Sequence, residues 1–169
     1  MRKIAFILLL TISFISCKSS KKVAEVKSKT SKTDNNSTSI DSKKVNDIIN
    51  YAEKFSGVKY KYGGDSKKGM DCSGLVNISF KSEAVSLPRT TKDLAVTGEW
   101  IDLKEVQKGD LLFFATKKSS RKVNHVAIVT STRVGYVEFI HATTSAGVIT
   151  SSLTERYWYH AFVQARRIL

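Results

Sequence analysis

The segment Gly69-Met70-Asp71-Cys72-Ser73-Gly74-Leu75-Val76 runs from a turn-forming stretch into an apolar, helix-compatible one, with a thiol at the junction. The chain's other cysteine is Cys17, so Cys72 has no disulfide partner within a folded region that starts well after residue 17. Downstream, His125 opens the apolar run His125-Val126-Ala127-Ile128-Val129, and His141 closes another that begins at Tyr136. A helix N-terminus carries partial positive charge that favours thiolate over thiol. An adjacent imidazole can take the proton, and such surroundings lower a cysteine pKa from ~8.5 to as little as ~3.5. Partners of this kind meet in space rather than along the chain. The combination points to a thiol hydrolase. One Cys and two His could in principle hold zinc through three ligands, but no close-spaced ligand pair accompanies them, and neither metal nor cofactor is expected.

The elements that must position these groups fall into two halves. Asp41 or Ser42 can cap a first helix, with Val45, Ile48, Ile49, Ala52 and Phe55 on one face and Gly57 as its stop. Tyr60-Lys61-Tyr62-Gly63-Gly64 is a loop or short extended piece. A second helix begins near Cys72 and runs to about Lys81, and a third, around 90–96, follows Pro88. After Glu99 strand signals take over, with short β segments at 111–115, 124–131, 136–141, 147–151 and 161–167. Helices first and strands second imply an α+β domain with an antiparallel sheet, the nucleophile's helix packing on the sheet that carries the histidines. The gap Thr132-Arg133-Val134-Gly135 is of turn length, and a loop of three to five residues there sets His141 opposite His125 or one step away.

At the N-terminus, Arg2 and Lys3 precede a nearly unbroken apolar run over 4–15, and Ser16-Cys17 follows. The run is shorter than the ~20 apolar residues that span a bilayer and suits a secretory signal over 1–16. Residues 17–41 are rich in Lys, Ser, Thr and Asn, too polar to offset the entropy of folding, and read as a basic, flexible tether. Residues 42–169 then form one domain of ordinary size. The formal charge of +13 is not gathered into a stripe interleaved with aromatics, so nucleic acid is not an expected partner. An anionic polymer outside the cytoplasm is the better match.

Six ordered motifs carry a resemblance over about 47–169: Tyr60-Lys61-Tyr62-Gly63-Gly64, Asp71-Cys72-Ser73-Gly74, Leu87-Pro88-Arg89-Thr90-Thr91, Lys108-Gly109-Asp110-Leu111-Leu112-Phe113-Phe114, His125-Val126-Ala127-Ile128-Val129 and Phe139-Ile140-His141-Ala142. The chain resembles the NlpC family of bacterial cell-wall peptidases, papain-like cysteine peptidases of reduced size, and above all their Spr-type lipoprotein endopeptidases. The basic loop 116–124 is longer than that resemblance leads one to expect. The resemblance implies Cys72 as nucleophile, His125 as general base and acid, and His141 as the polar third residue. It also implies Tyr60 as an active-site tyrosine and Asp71 and Ser73 as substrate contacts. The residues themselves leave alternatives open: Tyr60 as a packing aromatic, Asp71 and Ser73 as helix caps. His160 fits no motif and reads as a surface or packing histidine.

The implied function is hydrolysis of a peptidoglycan stem-peptide or cross-link amide, at D-alanyl–diaminopimelate or γ-D-glutamyl–diaminopimelate, through an acyl-enzyme. An inactive wall-binding lipoprotein is the alternative, against which the complete set Cys72, His125 and His141 speaks. Lipid-directed acyltransferases distantly related to this fold have the histidine before the cysteine, the reverse of the order here. Cys17 resembles the acylated cysteine of a bacterial lipoprotein, with Phe14 where leucine is usual, which implies a membrane anchor in the cell envelope, at the periplasmic face of the outer membrane. A lipid-anchored Cys17 leads to a direct expectation: the wild-type protein incorporates labelled fatty acid and sediments with membranes, and Cys17→Ala does neither. Equal labelling of both proteins removes the anchor.

Overall fold

The computed structural model describes residues 34–117 and 119–169. The expected signal segment, the acylated Cys17 and most of the tether lie outside the described residues. The first helix, α1, is Asp34–Glu53. It begins in the segment expected to be tether rather than at a cap on Asp41 or Ser42. The sequence from residue 34 to 45 holds no glycine or proline that would break a helix. It ends at Glu53, before the turn that reaches Gly57 at φ +80°.

Two short strands, β1 (Asp65–Ser66) and β2 (Gly69–Met70), form a small hairpin that leads into α2 (Cys72–Lys81). A single turn, α3 (Thr91–Leu94), is capped by Thr90. The main sheet comprises β3 (Glu99–Ile101), β4 (Leu111–Phe114), β5 (His125–Arg133), β6 (Tyr136–Thr143), β7 (Gly147–Ser152) and β8 (Phe162–Arg167). Its order is β3-β8-β4-β5-β6-β7, antiparallel throughout. The architecture is the expected α+β one. The hairpin β1–β2 and α4 (Arg156–Ala161), between β7 and β8, had no separate signal in the sequence.

The sheet is buried on both faces, which explains why its strands read as apolar runs rather than as alternating ones. On one face Leu111, Phe113, Val126, Ile128, Ile140, Ala142 and Val148 pack on Ile48 and Ala52 of α1, on Phe55 in the turn after it, and on Leu75, Val76 and Phe80 of α2. On the other, Leu112, Phe114, Ala127, Val129 and Phe139 pack with Trp158 and Ala161 of α4 and with Leu153.

The β5–β6 hairpin is tighter than its sequence suggested. Arg133 pairs with Tyr136, leaving only Val134 and Gly135 in the turn, the latter at φ +71°. The register then shifts between Val129 and Ser131, so that Ile128 faces Ile140. One extra residue in one strand is a β-bulge, and here it decides a face. Continued from Ile128–Ile140, the pairing sets His141 opposite Ala127, on the same face as His125. Without the bulge His141 would align with Ile128, on the opposite face from His125.

The sheet's centre is tied to its last strand by a buried carboxylate. Asp110, 2% exposed, accepts hydrogen bonds from Arg167 Nε (2.9 Å) and Nη2 (2.7 Å) and from the Gln107 amide (2.8 Å). Asp110→Ala removes the carboxylate from the Arg167 guanidinium and leaves it the Glu105 carbonyl alone. Because Arg167 is about a quarter exposed, the expected loss is roughly 2–3 kcal/mol, below the range for fully enclosed pairs, read as a lower urea midpoint at unchanged m.

Candidate active site

Cys72 is the first residue of α2, and its position is set by the residue before it. Asp71, in extended conformation as N-cap, accepts from the Gly74 amide (2.7 Å) and from the Gly63 amide (2.7 Å). Arg89 grips the same carboxylate through Nη1 to Oδ1 (3.0 Å) and Nη2 to Oδ2 (3.1 Å). Arg89 also donates to Ser73 Oγ (2.8 Å) and to the Gly64 carbonyl (3.2 Å), and Ser73 donates to Asp71 (3.2 Å). Gly74 lies so close beneath the Gly64 carbonyl that a Cβ there would collide with it. One network therefore joins α2, the 60–64 loop and the segment before α3. Burial works to raise the Asp71 carboxyl, but Arg89 and the two amides outweigh it and hold the group below its ordinary value.

The Asp71 and Ser73 side chains are thus committed to capping and to Arg89, the alternative that their positions left open. Both still line a groove of about 480 Å³ with Tyr60, Arg89, Thr91 and Cys72. On the far side of Cys72 a second cleft of about 450 Å³ is lined by Tyr60, Cys72, His125, Ser151, Glu155 and Trp158, among others. Tyr60 and Cys72 border both. Burial, then the neighbouring Cys72, pushes the Tyr60 hydroxyl pKa up. His160 is exposed on α4 and is not among the residues lining either.

The two histidines come together. His125 Nε2 lies 2.8 Å from His141 Nδ1, and His141 Nε2 lies 3.1 Å from Ser151 Oγ. His141 is fully buried. Trp158 stacks on His125, with centroids 5.4 Å apart, and meets His141 edge-on at 4.6 Å. The expected hairpin set His141 opposite His125 or one step away, and in the structure the two are diagonal across β5 and β6, with His141 facing Ala127. Diagonal neighbours have Cα atoms about 7–8 Å apart, a gap that two imidazole rings span. Burial pushes His125 down to about 4, and burial with the neighbouring His125 pushes His141 down to about 3.

Cys72 corrects the expectation of a thiolate at rest. It is 8% exposed, and burial pushes its thiol up from the ordinary value, against the opposing pull of Thr91 and of the Val126 and Ser73 backbone. Its side-chain partner is Thr91, at 3.6 Å between Sγ and Oγ1. The loss of water at a closed helix mouth outweighs the dipole. Thr91, Arg89, Ser151 and Trp158 were not picked out as site residues in the sequence. Arg89 and Thr91 stood in a quoted motif, but Ser151 and Trp158 carry no local signal.

An α+β domain with a cysteine on its helix mouth and a hydrogen-bonded histidine pair on its antiparallel sheet is a papain-like arrangement. The chain belongs to the NlpC/P60 family, whose model matches residues 57–167. It is 39% identical over 120 residues to the Escherichia coli K12 protein named murein DD-endopeptidase MepS/murein LD-carboxypeptidase, an alignment that covers 70% of this chain and 60% of that one. It is 42% identical over 117 residues to the probable endopeptidase NlpC of the same organism, covering 69% of this chain and 73% of the relative. The crystal structure of an NlpC/P60 family protein from Bacillus cereus superposes with a TM-score of 0.67 at 31% identity, over 74% of this chain and 40% of that one.

The buried pair makes stability depend on pH in a definite direction. The unfolded chain's histidines take up protons near pH 6.5, whereas the folded ones resist until about 4. Below pH 6.5 the unfolded state binds more protons, so stability is full above 6.5 and falls as pH drops towards 4. Asp71, held below its ordinary 3.8, contributes only to losses under that range. Urea denaturation should show on the order of 3 kcal/mol less stability at pH 4.5 than at pH 7. A double variant His125→Gln/His141→Gln should lose most of that slope.

Proposed function

We propose that this chain is a peptidoglycan endopeptidase that opens a stem-peptide or cross-link amide through Cys72. The observation that carries the reading is that Cys72 and His125 line one cleft, with His125 bonded to the buried His141 behind it. In this mechanism the thiol is neutral at rest, and His125 removes its proton as Sγ attacks the carbonyl carbon. With Nε2 turned to His141, His125 uses Nδ1 for the transfer. The Asp71 side chain occupies the Gly74 amide and the Asp71 carbonyl the Leu75 amide. The Cys72 amide, at the open end of the helix, is the donor for the tetrahedral oxyanion. His125 then passes its proton to the leaving amine, the acyl-enzyme forms, and His125 activates the water that releases it. His141 orients the base, and Tyr60, between the two grooves, contacts substrate or oxyanion.

The leaving amine has to reach His125, so the segment it belongs to occupies the cleft beside Trp158, and the acyl portion the groove beside Arg89. For both bonds under consideration, D-alanyl–diaminopimelate and γ-D-glutamyl–diaminopimelate, that amine belongs to the diamino acid. The naming of the Escherichia coli relative as a murein DD-endopeptidase supports peptidoglycan as substrate. This chain covers about 60% of that relative's length, and the activity is accordingly our own inference. The same proposal includes an envelope address, with a signal peptide over 1–16, a lipid on Cys17 and a tether to the domain. Its support is the N-terminal sequence pattern.

Digestion of purified sacculi and of soluble muropeptides tests the reading, the product masses naming the bond. Cys72→Ala and His125→Ala should release nothing measurable. His141→Ala should fall between them and wild type, and His141→Gln should recover part of the loss, within the ~10²–10⁴-fold range of acid–base assistance. Wild-type release by purified Cys72→Ala would falsify the proposal.

A further inference from the structure

The polar chain in the core does not end at the second histidine. It crosses three adjacent strands, from His125 on β5 to His141 on β6 to Ser151 on β7, and each step is diagonal. His141 pairs in register with Ile149, and Ser151 stands two residues further along the same face. Ser151 is 7% exposed and lines the cleft that holds Cys72 and His125. We propose that Ser151 is a positioning residue, the terminal hydrogen-bond acceptor that sets the direction of the chain His125–His141–Ser151 and so keeps His125 Nδ1 free to take a proton. The inference rests on the hydrolase reading given above.

Proton placement carries the argument. Two neutral imidazoles in contact can be arranged in two ways. In one, His125 Nε2–H donates to His141 Nδ1, His141 Nε2–H donates to Ser151 Oγ, and His125 Nδ1 keeps its lone pair. In the other, Ser151 donates to His141, His141 Nδ1–H donates to His125 Nε2, and His125 carries its hydrogen on Nδ1, where it cannot act as a base. Once His125 has taken the thiol proton, both its nitrogens carry hydrogen and only the first arrangement is possible. His141 Nε2–H must then have an acceptor, in a pocket otherwise walled by Phe139 and Trp158. Ser151 is that acceptor, and the bond is required in the transition state more than in the resting one, which places its effect on the chemical step. Besides His125, the titratable groups that line the cleft are Cys72, Tyr60, Glu155 and Tyr157. Among the described residues the polar contacts of His141 are His125 and Ser151.

Ser151→Ala and Ser151→Thr in the full chain test it, assayed on a soluble muropeptide across pH and by nitrogen-15 NMR of the histidine rings. Expected for Ser151→Ala is a fall in kcat of roughly 10- to 100-fold, the rate equivalent of one buried donor left unpaired. KM should stay within about twofold, as expected of an interaction that counts for more in the transition state than in the ground state. The acid limb of the kcat profile should move to lower pH, because the imidazolium has lost support. Ser151→Thr keeps the hydroxyl and should restore both rate and profile. In wild type the NMR spectra should show both rings protonated on Nε2. An Ala variant with unchanged kcat and acid limb overturns the proposal, as does a resting His125 protonated on Nδ1. A loss in Ala that Thr does not restore assigns Ser151 to packing and overturns it as well. If wild type cleaves no muropeptide, the hydrolase reading falls, and the ring tautomers alone still decide the role of Ser151.

Discussion

The carboxylate of Asp71 is the point from which the rest of this site is built. It caps α2 through the Gly74 amide, ties down the 60–64 loop through the Gly63 amide, and receives both terminal nitrogens of Arg89. Charge-assisted hydrogen bonds of this kind are stronger than neutral ones, and a bidentate guanidinium also dictates orientation. The next residue along the chain is Cys72, so the bonds that fix the start of α2 also fix where the thiol stands. A residue that sequence reading could assign to substrate thus has its bonding capacity occupied by the protein itself. Arg89 extends the network into the groove wall, which ties that wall to the start of α2.

The second constraint is burial. The thiol and both imidazoles sit where water is largely excluded, and each is displaced towards its neutral form. A dry site disfavours charge separation in the resting molecule, and it strengthens every fixed dipole aimed at charge that develops later. On this reading the proton moves with the attack on substrate rather than before it. The aromatic enclosure formed by Trp158 and Phe139 serves the same end, since it holds the rings in place without offering them competing hydrogen bonds.

Geometry imposes a third demand. Cys72 comes from the helical layer on one side of the sheet, whereas His125 and His141 share the side of Ala127, Val129 and Trp158. Cys72 and His125 border one cleft because His125 is the first residue of β5, at the strand's end, and because α2 brings its N-terminus there. The bulge between Val129 and Ser131 completes the arrangement by turning His141 to the same face.

Much of this was legible along the chain. The apolar spacing of α1, the start of α2 at Cys72 and its end at Lys81, and the β segments around residues 111, 125, 136, 147 and 162 follow from local pattern and turn residues, because propensity and periodicity act over a few neighbours. Cys72, His125 and His141 stood out by residue type and context, and the fold sets Cys72 and His125 on one cleft with His141 bonded behind. Other features were out of reach for the same reason. The bulge depends on two strands paired at a distance, the Arg89–Asp71 grip joins residues 18 apart, and Ser151 becomes a partner of His141 only through the β6–β7 register. The Cys72 thiol shows the division most clearly. Its place at a helix mouth was written in the local sequence and favoured the thiolate, but its protonation is decided by how much water the packed layers exclude, a property of the whole fold.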